Sequence, residues 1–96
     1  MKVKFLQPAR YELREAVKFY EQQQLGLGKN FRDEVLATID RIQSFPLGWQ
    51  LLTENIRRCQ TRKFPYGVIY TLDDNEILII AIAHLHREPD YWGNRV

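Results

Sequence analysis

The run from Glu76 to His86, Glu-Ile-Leu-Ile-Ile-Ala-Ile-Ala-His-Leu-His, constrains this chain more than any other stretch. Its strongly apolar part, Ile77 to Ala83, is far short of the roughly 20 residues a membrane helix needs. It also lacks the alternation of a half-buried strand, so it predicts a strand at the centre of a sheet, covered on both faces. Both covers must come from a single domain spanning residues 1–96, because chains divide only above roughly 250–300 residues.

The preceding residues supply candidates for those layers. Met1 to Leu6 alternates, with Val3 and Phe5 opposite Lys2 and Lys4, and predicts a short strand that Gln7-Pro8 ends. Ala9, Leu13, Ala16, Val17 and Tyr20 then recur at steps of three and four, which makes one helical face apolar through about Gln24. Leu25-Gly-Leu-Gly28 breaks that helix, with Gly26 as its stop. A second stripe follows in Phe31, Val35, Ile39, Ile42 and Phe45, and the helix ends before Pro46. So short a turn predicts an antiparallel hairpin of helices.

Residues 46–55 read as a loop held to the core by Trp49 and Leu51. Ile56–Gln60 is a short basic strand, and Arg62–Leu72 alternates Phe64, Tyr66, Val68, Tyr70 and Leu72 on one parity. The turn between them falls at Gln60-Thr61 or at Pro65–Gly67, and Asp73-Asp74-Asn75 is a hairpin turn. The predicted fold is α+β: an N-terminal strand, an antiparallel two-helix hairpin, then a three-stranded antiparallel meander, β-α-α-β-β-β.

Charge is spread unevenly. Fourteen basic and twelve acidic residues leave a net +2, which is not the single-signed field of a strong nucleic-acid binder. Yet Arg57, Arg58, Arg62 and Lys63 fall within seven residues that contain no acid. Like charges on a sheet repel, so an anionic partner would give this cluster its reason. The single cysteine, Cys59, rules out an internal disulfide and reads as an inert small hydrophobe. The N-terminus shows no secretory pattern, and a cytoplasmic location without membrane contact is expected.

Several motifs together resemble the RelE/ParE superfamily of toxins. They are Ala9-Arg10-x-Glu12-Leu13-x-Glu15-Ala16-x-x-Phe19-Tyr20-Glu21, then Gly26-Leu-Gly28 leading to Phe31-x-x-Glu34-Val35. Arg62-Lys-Phe64-Pro65-Tyr66 and His84-x-x-Arg87-x-Pro89-x-Tyr91-Trp92 complete the order across nearly the whole chain. The resemblance implies a RelE-like fold and the toxin of a type II toxin–antitoxin module, silenced by a cognate antitoxin. The helix-opening and tail motifs look more like the ParE-like and plasmid-stabilisation branch. ParE-like members are regarded as inhibitors of DNA gyrase, whereas RelE-like members cleave mRNA on the ribosome.

Both targets remain open in the residues themselves. RNA cleavage through the 2′-hydroxyl needs a base, cations for the phosphate and an acid for the leaving oxygen, all of which metal-free enzymes draw from His, Arg, Lys and Tyr. As a nuclease, the chain would use Arg62, His84, Arg87 and Tyr91. On either reading, Arg57, Arg58 and Lys63 would contact the target or the antitoxin. As a contact toxin it needs no catalyst, and Tyr91 and Trp92 serve as packing anchors. His84 and His86 face the same way by parity, with Leu78, Ile80 and Ile82, and no cysteine lies near them in sequence. No metal and no cofactor is expected. A pI near 8.8 weighs against work inside the ribosome.

Overall fold

The computed structural model describes residues 1–96. Strand β1 (Lys2–Phe5) leads into helices α1 (Gln7–Gln23) and α2 (Leu27–Ser44). Strands β2 (Gln50–Leu51), β3 (Ile56–Gln60), β4 (Tyr66–Asp73) and β5 (Glu76–His84) follow, and a 3₁₀ turn at Gly93–Arg95 closes the chain. The sheet order is β1-β5-β4-β3-β2. Strand β1 runs parallel to β5, and every other pair is antiparallel. The helix hairpin is the crossover that a parallel pair requires.

The helices join where glycine is needed. Gly26 takes a φ of 88°, the left-handed region. A side chain at Gly28 would bring its Cβ within 2.6 Å of the Val17 carbonyl oxygen, so the two helices could not approach as they do. The Glu21 carboxylate accepts from the N–H groups of Gly26 and Gly28, placing a negative charge at the start of α2.

Strand β5 is covered on both faces, as its composition predicts. On one side Ala9, Ala16, Phe31, Val35, Ile39 and Ile42 of the helices meet Val68, Tyr70, Ile77, Ile79 and Ile82. On the other, Ile56, Ile69, Ile80, Ala81 and Ala83 pack with Trp92 from the C-terminal tail. The second cover is thus irregular chain, not a layer of secondary structure.

Four sequence expectations change. Gln50–Leu51, read as loop, forms a fifth strand against β3, too short to display any alternation. Strand β4 begins at Tyr66, not Arg62, and the turn occupies Thr61–Pro65, which keeps Pro65 out of the ladder. Phe45 caps α2 but is 67% exposed, and Leu51 is also largely exposed, so neither joins the core. Of the two expected anchors only Trp49 pins the loop, donating from Nε1 to the Arg41 carbonyl at 3.2 Å.

The fourth change concerns facing. Ile69 pairs with Ala81 while Tyr70 pairs with Ile79, leaving Ile80 as an extra residue. This β-bulge reverses the parity beyond it. Ile82 therefore joins Ile77 and Ile79 on the helix side, and His84 follows it there. His86 lies past the end of the strand and is exposed.

Tyr70 ties the loop to the sheet by donating to the Pro46 carbonyl at 2.5 Å. Burial pushes its phenol up to about 12 from an ordinary 10.0. The unfolded chain loses this proton first, so Tyr70's share of stability is full below pH 10 and declines between pH 10 and about 12. Urea unfolding of Tyr70→Phe across that window should show a slope shallower by about 1.4 kcal/mol per pH unit. An unchanged slope would mean that Tyr70 ionises normally in the folded protein.

Candidate functional site

The C-terminal tail brings most of the candidate residues together. His84 ends β5, and its Nδ1 accepts from the His86 backbone N–H at 3.1 Å. The neutral imidazole then carries its proton on Nε2, an assignment inferred from that bond. Tyr66 packs edge-on against the ring, with centroids 5.1 Å apart. After Arg87, Pro89 and Asp90 (φ 65°) turn the chain back, and Trp92 is buried against the far face of the sheet.

Glu12 of α1 organises this tail. Its carboxylate accepts from the Tyr91 hydroxyl at 2.6 Å and from both terminal nitrogens of Arg95 at 2.9 and 3.0 Å. It also accepts from the Ile82 N–H at 3.1 Å, while Arg95 Nη1 donates to the Ile80 carbonyl at 3.0 Å. Pairing with β1 stops at Ile79, so the Glu12–Arg95 ion pair takes over backbone groups of β5 that a longer β1 would have paired. The Arg87 guanidinium stacks 3.6 Å from the Tyr91 ring centroid and lies 3.8 Å from Glu12. Burial, then the bond to Glu12, push the Tyr91 phenol far above its usual range. Tyr91 is therefore a neutral donor committed to Glu12, poorly suited to accept a proton.

The basic segment is not one patch. Strand alternation and the turn that follows send its members to three places. Arg57 lies on the helix side of β3 and donates to the Trp49 carbonyl at 2.8 Å. Arg58 lies on the far side and donates from Nη2 to Gln50 Oε1 at 2.8 Å. Arg62 and Lys63 sit exposed in the turn, where the Glu34 carboxylate accepts the Arg62 backbone N–H. Glu34 is itself held by Arg41 at 2.7 Å, and together with Thr38 they form a largely buried polar group on α2.

A cleft of about 240 Å³ between the far face and the tail is lined by Arg58, Arg87, Tyr91 and the strand end at His84, whose ring packs on the helix side against Tyr66. Arg62 and Lys63 line a separate, open depression beside α2. The structure thus unites three of the four nuclease candidates and leaves Arg62 elsewhere. No group of three or more His, Cys, Asp or Glu side chains is placed to hold a metal ion. Glu12, Arg95, Glu34 and Arg41 went unsingled by sequence reasoning. Only the place of Glu12 and Glu34 within the helix motifs hinted at them.

A family model described as ParE toxin of type II toxin-antitoxin system, parDE, matches residues 3–89. The chain belongs to the ParE toxin family. The match ends before Tyr91, Trp92 and Arg95, so the residues that lock the tail lie outside it. Among solved structures, the fold is similar to one described as the chromosomal ParDE toxin–antitoxin system from P. aeruginosa. That likeness has a TM-score of 0.73 at 15% identity and covers 90% of this chain and 97% of the other. It is also similar to the isolated E. coli RelE toxin, with a TM-score of 0.66 at 17% identity over 94% and 89% of the two chains. No match is found among curated proteins. No helix is long and apolar enough to cross a membrane.

Proposed function

We propose that this ParE-family toxin arrests growth by binding DNA gyrase, without cleaving RNA, and that a cognate antitoxin neutralises it. The observation that carries this reading is the commitment of Tyr91 to Glu12. A ribonuclease needs a free base and free cations converging on one phosphate. Here the phenol is an engaged donor, Arg87 is stacked beside Glu12, and Arg62 lies in another depression. His84 presents Nε2–H, and its other nitrogen is occupied. A contact toxin asks none of these groups to move a proton. The antitoxin is carried over from the P. aeruginosa neighbour, which is described as a ParDE toxin–antitoxin system.

The test is gyrase supercoiling with purified toxin, with and without the product of the adjacent gene. Inhibition by stoichiometric toxin, relieved by that product, is expected. His84→Gln should stay within about fivefold of the parent in growth arrest, the scale of one contact near 1 kcal/mol. A drop of about 10²–10⁴, the usual cost of losing a general acid or base, would instead support RNA cleavage. The observation favouring that second reading is that Arg58, His84 and Arg87 line one cleft.

A further inference from the structure

Arg58 sits in an unusual electrostatic position. Its aliphatic stem lies flat over Gly67, where an added Cβ would fall 2.8 Å from Arg58 Cδ. The glycine is what lets the side chain lie along the sheet. Of the five guanidinium donors, the one bonded is on Nη2, reaching the neutral amide of Gln50. Nε is buried and has no hydrogen-bond partner. No carboxylate lies within 4.0 Å of the group, although Glu88 and Asp90 line the same cleft. A half-buried cation with most of its donors unpaired is costly unless an anion completes it.

The space beside it is suited to one kind of anion. Ile69 and Ala83 are buried residues of its floor, and Leu52, Leu85 and Trp92 contribute apolar walls. At about 240 Å³ it is smaller than the roughly 300–1,000 Å³ of drug-sized pockets, so it holds a group about the size of one amino-acid residue. Arg58 and Arg87 balance Glu88 and Asp90 in the lining, and so nearly neutral a surround suits a single carboxylate better than a doubly charged phosphate. We propose that this cleft binds a small apolar monocarboxylate, its oxygens on the Arg58 fork and its hydrocarbon on the Ile69–Ala83–Trp92 surface. The carboxylate is that of a free acid or of a peptide chain ending in an apolar residue. The proposal rests on the contact reading, because a nuclease would bring an RNA phosphate to this same cleft, and RNA 5′-end mapping tests that reading separately.

The probe is N-acetyl-leucine, titrated into the ¹⁵N-labelled full chain while the Arg58 Nε–Hε resonance is followed. Saturable binding at about millimolar strength is expected for a ligand of this size. N-acetyl-leucinamide, which keeps the hydrocarbon and loses the charge, should bind about 10–100-fold more weakly. A pentapeptide ending in leucine separates the sources: a gain of tenfold or more over the free acid, about 1.4 kcal/mol, identifies a chain end. An equal affinity identifies a small acid. Arg58→Gln should lose binding about 10–100-fold. Arg58→Lys keeps charge and stem but not the planar fork, and should weaken binding by several-fold. Gly67→Ala, which displaces the stem, should do the same. Equal binding of acid and amide, tighter binding of inorganic phosphate, or undiminished binding by folded Arg58→Gln or Arg58→Lys would overturn the proposal.

Discussion

Replacing Glu12 with alanine is expected to cost about 3–5 kcal/mol, the penalty for removing one partner of a buried ion pair. Its carboxylate side chain is only 12% exposed and serves Tyr91, Arg95 and the Ile82 N–H together. Removal strands Arg95, which is 17% exposed, and uncaps the edge of β5 beyond β1. Total stability for a domain of this size is about 5–15 kcal/mol, so the variant should be marginal or unfolded at growth temperature. At about 4–8 °C per kcal/mol, the fall in Tm is well over about 10 °C. Glu12→Gln retains an acceptor and should fall between the two. Hydrogen exchange provides the specific readout. Amides from Leu85 to Val96 should lose protection first, and a melting loss without earlier tail opening would contradict the role given to Glu12.

Phe31→Ala should be comparably severe, at about 3–5 kcal/mol. Its ring is fully buried where both helices meet the sheet, with centroids 5.0 Å from Tyr20, 5.2 Å from Phe64 and 4.8 Å from Tyr66. The three neighbours come from α1, the Thr61–Pro65 turn and β4, so their freedom to collapse into the cavity is small. Aromatic edge contacts are lost beyond the area term. Phe31→Leu, which keeps much of the volume, should recover more than half of the loss. Chemical denaturation of both variants decides it. A cost below about 1.5 kcal/mol for the alanine variant, the scale of a tolerated swap, would show that the cluster repacks.

The elements that sequence reveals here are those governed by local periodicity. The stripe from Ala9 to Tyr20, the left-handed Gly26 and the stop before Pro46 each depend on neighbours within a few residues. The two-residue hairpin at Asp74 and Asn75, both with positive φ, belongs to the same class. The bulge at Ile80 does not, because Ile77 to Ala83 is apolar throughout and an extra residue leaves no mark on such a run. That slip moved His84 to the face opposite the one assigned by counting. The site was legible only in part. His84, Arg87 and Tyr91 lie close in sequence and meet in the tail. Glu12, which holds Arg87, Tyr91 and Arg95, is 70 to 83 residues from its partners, and no spacing rule reaches so far. The basic cluster failed for the converse reason. Adjacent residues on a strand face opposite ways, so Arg57 and Arg58 could not share a surface.

Mapping RNA 5′ ends after induction of the toxin, alongside growth, tests contact without cleavage most directly. Growth arrest with no new 5′ ends within translated messages is expected, in the parent and in His84→Gln alike. New ends clustered in ribosome-occupied codons of the parent, and absent from a folded His84→Gln variant, would contradict it.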